Sequence, residues 1–106
     1  MMNYNYDDPM IVEELRFVVQ SHVLQQFLER DHEVWTTFLR SCYGFIDKQV
    51  WTNETNGVVV MQIWWESRSA WKAVDSATVT RGEALMGDMS HAPTCVEYEV
   101  WAPVQR

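Results

Sequence analysis

Gly44–Trp71 reads GFIDKQVWTNETNGVVVMQIWWESRSAW, and four of the chain's six tryptophans fall in it: Trp51, Trp64, Trp65 and Trp71. The stretch predicts a strand over about 45–53, a turn at Asn56-Gly57, a strand over 58–66 and a helix start at Ser67. Asn-Gly is a strong hairpin signal because a type I′ turn needs positive φ at both central positions. A two-residue loop and a four-residue loop give the same face parity. Ile46, Lys48 and Val50 then share a face with Val59, Met61, Ile63 and Trp65. Phe45, Asp47, Gln49 and Trp51 share the other with Val58, Val60, Gln62 and Trp64.

Upstream, MIVEELRFVV (10–19) alternates as a strand, with Ile11, Leu15, Phe17 and Val19 on one face and Glu13 among them. Ser21 is a candidate N-cap for a long first helix reaching about Cys42. Its apolar stripe is Val23, Leu24, Phe27, Leu28, Val34, Trp35, Phe38, Leu39 and Cys42, the pattern of a helix lying on a sheet. Gly44 is the stop signal. Downstream, Ser67 can cap a short helix carrying Ala70, Trp71 and Val74. Residues 76–89 predict a weaker helix, apolar at Val79, Leu85, Met86 and Met89, in which Gly82 costs stability. CVEYEVWAPV (95–104) is a last strand ended by Pro103.

The order β-α-β-β-α-β is the ferredoxin-like, α+β arrangement: a four-stranded antiparallel sheet with both helices on one face. Both faces of the hairpin are apolar, so the bare face calls for a second cover. A second copy of the same sheet is the economical one, which predicts a homodimer enclosing an α/β barrel. Trp51, Gln62 and Trp64 would lie at that dimer interface. Residues 10–104 form the single domain, and the polar, acidic residues 1–9 are expected as a loose tail.

Composition narrows the function classes. The chain has 106 residues, 47% of them hydrophobic, and a net charge of −7. That suffices for one domain with a real core. No basic patch stands out, so neither nucleic acid nor an anionic membrane is an expected partner. The tail does not read as a signal peptide, and a cytoplasmic location is expected. Cys42 and Cys95 lack CxxC spacing and are expected as half-buried reduced thiols. His22, His32 and His91 are scattered, with no metal-ligand spacing, so no metal and no other cofactor is expected. His22 and His32 should be solvated, and His91 lies in a loop facing no predicted partner.

Several pieces of the chain carry a resemblance. They are Glu14-Leu15-Arg16-Phe17, Arg30-Asp31 with Trp35-Thr36, and Gly44-Phe45 with Lys48-Gln49-Val50-Trp51. Trp65-Glu66-Ser67-Arg68 with Trp71-Lys72-Ala73 and Glu97-Tyr98 with Val100 complete the set. Together they resemble the dimeric α/β-barrel superfamily that includes the antibiotic-biosynthesis monooxygenases. More narrowly, they resemble a family of short uncharacterised proteins known mainly from cyanobacteria. The resemblance implies the fold and the dimer, and no activity. Haem-degrading members of the superfamily carry a Trp and a His whose positions fall near Val74 and Ala84, so the likeness does not extend to haem. The Asn, Trp, Tyr and Arg set of cofactor-free quinone-forming members has no assigned counterpart in this chain.

One polar residue interrupts the helical stripe. Asp31 lies four residues after Phe27 and four before Trp35, so its carboxylate should face the sheet. Desolvation there would raise its pKa and suit a general acid or base, which makes Asp31 the candidate catalytic residue. The plainer alternative is a hydrogen bond to a backbone amide or a strand side chain that serves packing. Trp35, Trp65 and Trp71 are the expected walls of a pocket for a small apolar or aromatic molecule between the first helix and the sheet; packing is the competing role for all three. Glu97 and Glu99 share one face of an edge strand, where charge opposes aggregation; Arg16 and Lys48 are their expected ion-pair partners.

Overall fold

The computed structural model describes residues 4–101. Four strands, β1 (Ile11–Val18), β2 (Phe45–Asn53), β3 (Val58–Trp65) and β4 (Thr94–Glu99), form one antiparallel sheet in the order β2-β3-β1-β4. Between β1 and β2 a turn of 3-10 helix (Ser21–Val23) leads into α1 (Leu24–Asp31), a π-helical turn (His32–Thr36) and α2 (Thr37–Arg40). Between β3 and β4 come α3 (Arg68–Lys72), α4 (Ser76–Met86) and a 3-10 turn (Gly87–Met89). This is the ferredoxin-like topology with all helices on one face. Residues 102–104 of the expected last strand, with its Pro103 stop, lie outside the described residues.

Alternation on β3 builds the core. Val59, Met61, Ile63 and Trp65 are all buried on the helix side, joined by Ile11 and Phe17 of β1. Leu24 and Phe27 of α1, Leu39 of α2, Ala70 of α3 and Met86 of α4 close over them. Burying such side chains stabilises by roughly 1.5–3 kcal/mol each, against about 0–1 kcal/mol for an exposed ion pair, so this face and not surface charge holds the fold together.

Four details depart from the sequence reading. The hairpin loop is the four-residue form, Glu54 to Gly57, and only Gly57 has positive φ (+71°), so it is not a type I′ turn. Asn56 instead accepts from the Val58 amide through its side chain (3.0 Å), and the Gly57 amide bonds the Asn53 carbonyl (2.9 Å). A bulge interrupts the β2–β3 register between Phe45 and Asp47. It turns Phe45 to the helix face, where its ring meets Trp65 edge-on at 6.1 Å, and leaves Ile46 exposed. From Lys48 onward the predicted faces hold. Ser21 does not cap the first helix: the cap positions are Gln20 for the 3-10 turn and Val23 for α1, neither with a side-chain bond.

The fourth departure concerns Gly82. A Cβ built there would stand 2.5 Å from the Trp35 ring. The glycine lets α4 approach Trp35 closely, so its helix-propensity cost is set against a packing requirement.

Residues 4–9, expected as a loose tail, make defined contacts. The Met10 amide donates to the Tyr4 hydroxyl (2.6 Å), which itself donates to the Val100 carbonyl. The hydroxyl and amide of Ser69 at the start of α3 donate to Asp8 and hold its carboxyl below the ordinary carboxylate range.

Candidate functional site

Between α1, α2, α4 and the sheet lies a cavity of about 420 Å³. Its floor is the helix face of the sheet, and its walls include Phe27, Trp35, Phe38, Trp71 and Val79. Trp35, Trp65 and Trp71 all line it, as does Asp31. The three indoles come from a helix, a strand and a second helix, which only the folded sheet brings together.

The Asp31 carboxylate is not free. Lys48 reaches from β2 and places its Nζ 2.6 Å from Asp31 Oδ2, with both side chains about 5% exposed or less. The same ammonium donates to Thr36 Oγ1 at 3.0 Å. The π-helical turn explains this geometry. Asp31 and Thr36 are five residues apart and would diverge on an α-helix, but the wider π turn, with its i→i+5 backbone bonding, brings them nearer one face. The backbone widens where Lys48 is held. Expected as a partner of Glu97 or Glu99, Lys48 is thus bound to Asp31. The acidic pair on β4 is instead bridged by Arg68 of α3, with Arg68 Nε 2.9 Å from Glu97 Oε2 and Nη2 bonded to both carboxylates. Arg16 lies beside Glu14 at 3.8 Å.

Glu13 lies on the cavity floor with no cation within 4 Å among the described residues. It is opposite Ile63 on one side and Glu97 on the other. The Trp65 indole N–H donates to Glu13 Oε1 at 3.2 Å. Burial raises its pKa, and the indole N–H groups of Trp65 and Trp71, with the charge of Lys72, only partly offset that rise. Face parity alone puts Glu13 among apolar residues. What marks it as a site residue is its indole partner, 52 residues away in sequence.

His91 is the other residue not foreseen. Its ring lies edge-on to Phe27 with centroids 5.0 Å apart, and it lines the cavity. Its Nδ1 is 2.8 Å from the Met89 carbonyl, to which it donates. His22 and His32 are exposed. Cys42 is half-buried and Cys95 exposed rather than half-buried; both are free, and partial burial raises both thiols. No group of three metal-ligating side chains occurs among the described residues, and none of their helices is long and apolar enough to cross a membrane.

Trp51, Gln62 and Trp64 lie on the opposite face of the sheet, as parity predicts. Gln62 donates to Glu14 at 3.2 Å, and Trp51 is half exposed.

This architecture recurs in solved structures. A candidate antibiotic biosynthesis monooxygenase from Caulobacter crescentus superposes with a TM-score of 0.73 at 18% identity, covering 90% of this chain and 92% of that one. The chain has the fold of these monooxygenases. The monooxygenase from the gene ActVA-Orf6 of Streptomyces coelicolor, solved with the ligand nanaomycin D, gives 0.69 at 16% identity over 96% of each chain. SnoaB, a cofactor-independent oxygenase from Streptomyces nogalater, gives 0.65 at 12% identity over 92% of this chain and 99% of that one. No protein-family model matches the chain, and no curated protein matches it either. The narrower likeness to short cyanobacterial proteins therefore rests on its sequence pieces alone.

Proposed function

We propose that this chain binds a small apolar or aromatic molecule between its first helix and the sheet, and acts on it without a cofactor in the manner of a monooxygenase. The observation that carries this reading is the cavity: about 420 Å³, walled by Trp35, Trp65 and Trp71 and lined mostly by apolar side chains. Pockets of this size and lining suit a molecule of several fused rings. Likeness of fold to the nanaomycin D-bound monooxygenase and to SnoaB supports the class of chemistry. In this reading Asp31 serves as the anchor of Lys48 and fixes one wall; its charge is compensated by the buried ammonium.

The functional unit is a homodimer joined through the outer sheet face. Val18, Trp51, Val96 and Tyr98 leave that face rich in exposed apolar surface, which supports a second copy as its cover. A dimer that binds a ligand or partner without chemistry is the competing reading, and the same apolar face favours its dimer.

Titration with nanaomycin D, followed by tryptophan fluorescence, tests the pocket. Saturable quenching that weakens at least tenfold in Gly82→Leu, which fills the wall beside Trp35, is the expected result. Quenching that is absent or non-saturable rejects the reading. Oxygen uptake with a bound hydroxyaromatic compound separates the enzyme from the binding dimer.

A further inference from the structure

We propose that Glu13 is the proton acceptor of this cavity, taking the proton of an acidic O–H or C–H bond on the molecule held there. The proposal rests on the pocket reading above and adds to it a catalytic residue.

Each titratable group of the cavity has a position that decides what it can do. Asp31 is tied to Lys48 at 2.6 Å, and Lys48 is tied again to Thr36. Lys72 lies over the Trp71 ring, 4.0 Å from its centroid. Glu83 is exposed on α4. His91 has its Nδ1 committed to the Met89 carbonyl. Glu13 remains: a carboxylate on a central strand of the sheet, without an ion-pair partner among the described residues, oriented by the Trp65 indole at 3.2 Å. Indole hydrogen bonds fix a carboxylate without exhausting its acceptor capacity, since two oxygens carry about four lone-pair sites. The charged and titratable groups facing it are Cys95 and Glu97 from β4 and Lys72 from α3.

On its β3 side the floor around Glu13 is apolar, while Glu97 lies opposite it on β4. Ile63 stands beside it across the ladder, with Ile11 and Leu15 two residues away on the same face. A planar ring lying on Ile63 between Trp65 and Trp71 would bring an acidic O–H or benzylic C–H to the carboxylate. In the step itself that bond breaks, the proton passes to a Glu13 oxygen, and the electron pair stays on the substrate as phenolate or enolate. Nothing is oxidised or reduced in it. A base held in a desolvated site, with its proton affinity increased by burial, suits this transfer near neutral pH.

The test uses β-tetralone, an aromatic ketone with an acidic benzylic C–H, in deuterium oxide. Binding is read by tryptophan fluorescence and proton removal by loss of the benzylic proton signal in NMR. Expected is exchange accelerated by the wild type, reduced about 10²-fold or more in Glu13→Gln and partly restored in Glu13→Asp. The wild-type rate should rise with pH through a midpoint above the ordinary carboxylate range, and that rise should vanish in Glu13→Gln. Equal binding with equal exchange in wild type and Glu13→Gln overturns the assignment and leaves the pocket intact. Failure of β-tetralone to bind the wild type overturns both. A melting curve for Glu13→Gln matching or exceeding the wild type excludes misfolding as the cause of lost exchange.

Discussion

Glu13 and Asp31 are both carboxylates on the cavity wall, and their surroundings send them to different tasks. Asp31 meets a cation, so its charge is compensated; Glu13 meets indoles, so its charge is only eased. The consequence for stability has a definite sign. Burial raises the Glu13 pKa in the folded chain, so the native state holds this proton more tightly than the unfolded state. Its contribution to stability is full below the unfolded value and is lost as pH rises through the folded one. Glu13→Gln removes the ionisation. Its melting temperature should exceed the wild type's at neutral pH and match it in acid, as scanning calorimetry across pH would record. For the other pair, Lys48→Met strands a buried carboxylate and should cost about 3–5 kcal/mol, whereas Asp31→Leu with Lys48→Met should come within about 1–2 kcal/mol of the wild type. Urea denaturation of the three proteins measures this directly. The sequence exposed Asp31 because it breaks an apolar stripe. It hid Lys48 as the partner, because a strand lysine on an apolar face looks the same whether it reaches a helix or solvent.

At the scale of elements, alternation and helical periodicity were legible wherever one period runs unbroken. β3 alternates from Val58 to Trp65, and its burial follows the predicted parity residue by residue. The two interruptions were not legible, for the same physical reason. At the β2 bulge the residues exchanged, Phe45 and Ile46, are both large and apolar, so composition does not mark which one turns inward. In the π turn, the stripe from Phe27 to Leu39 is broad enough to absorb a local change of period. Gly82 was legible as a weak helix former and illegible as a neighbour of Trp35, since the contact joins residues far apart in the chain. Gly82→Ala should therefore reverse the usual preference. The methyl gains about 1 kcal/mol of helix propensity but crowds a rigid ring, which costs about 1–3 kcal/mol. We expect a net loss near 1 kcal/mol in denaturant titration, with altered tryptophan emission.

For the whole molecule, the sheet separates two kinds of surface. The helix face holds the cavity and the buried core; the outer face carries Trp51, Gln62 and Trp64 with Val96 and Tyr98. Sedimentation at micromolar concentration should give a dimer, and Trp64→Glu together with Val60→Glu should give a monomer, because like charges would face each other across a two-fold interface. A wild-type monomer at that concentration rejects the dimer. The cavity was legible only as a set of candidate walls, since its volume depends on how far the helices stand off the sheet, and local patterns do not encode that distance.

The bulge in β2 has one more consequence. A strand of strict alternation can slide two residues along its neighbour and find every side chain back on its original face. β2 cannot do so, because Phe45 and Lys48 both point to the helices across an odd interval. One is seated against Trp65 and the other against Asp31. Like two teeth of a key cut at unequal spacing, they admit a single position of the hairpin, and no slid register satisfies both.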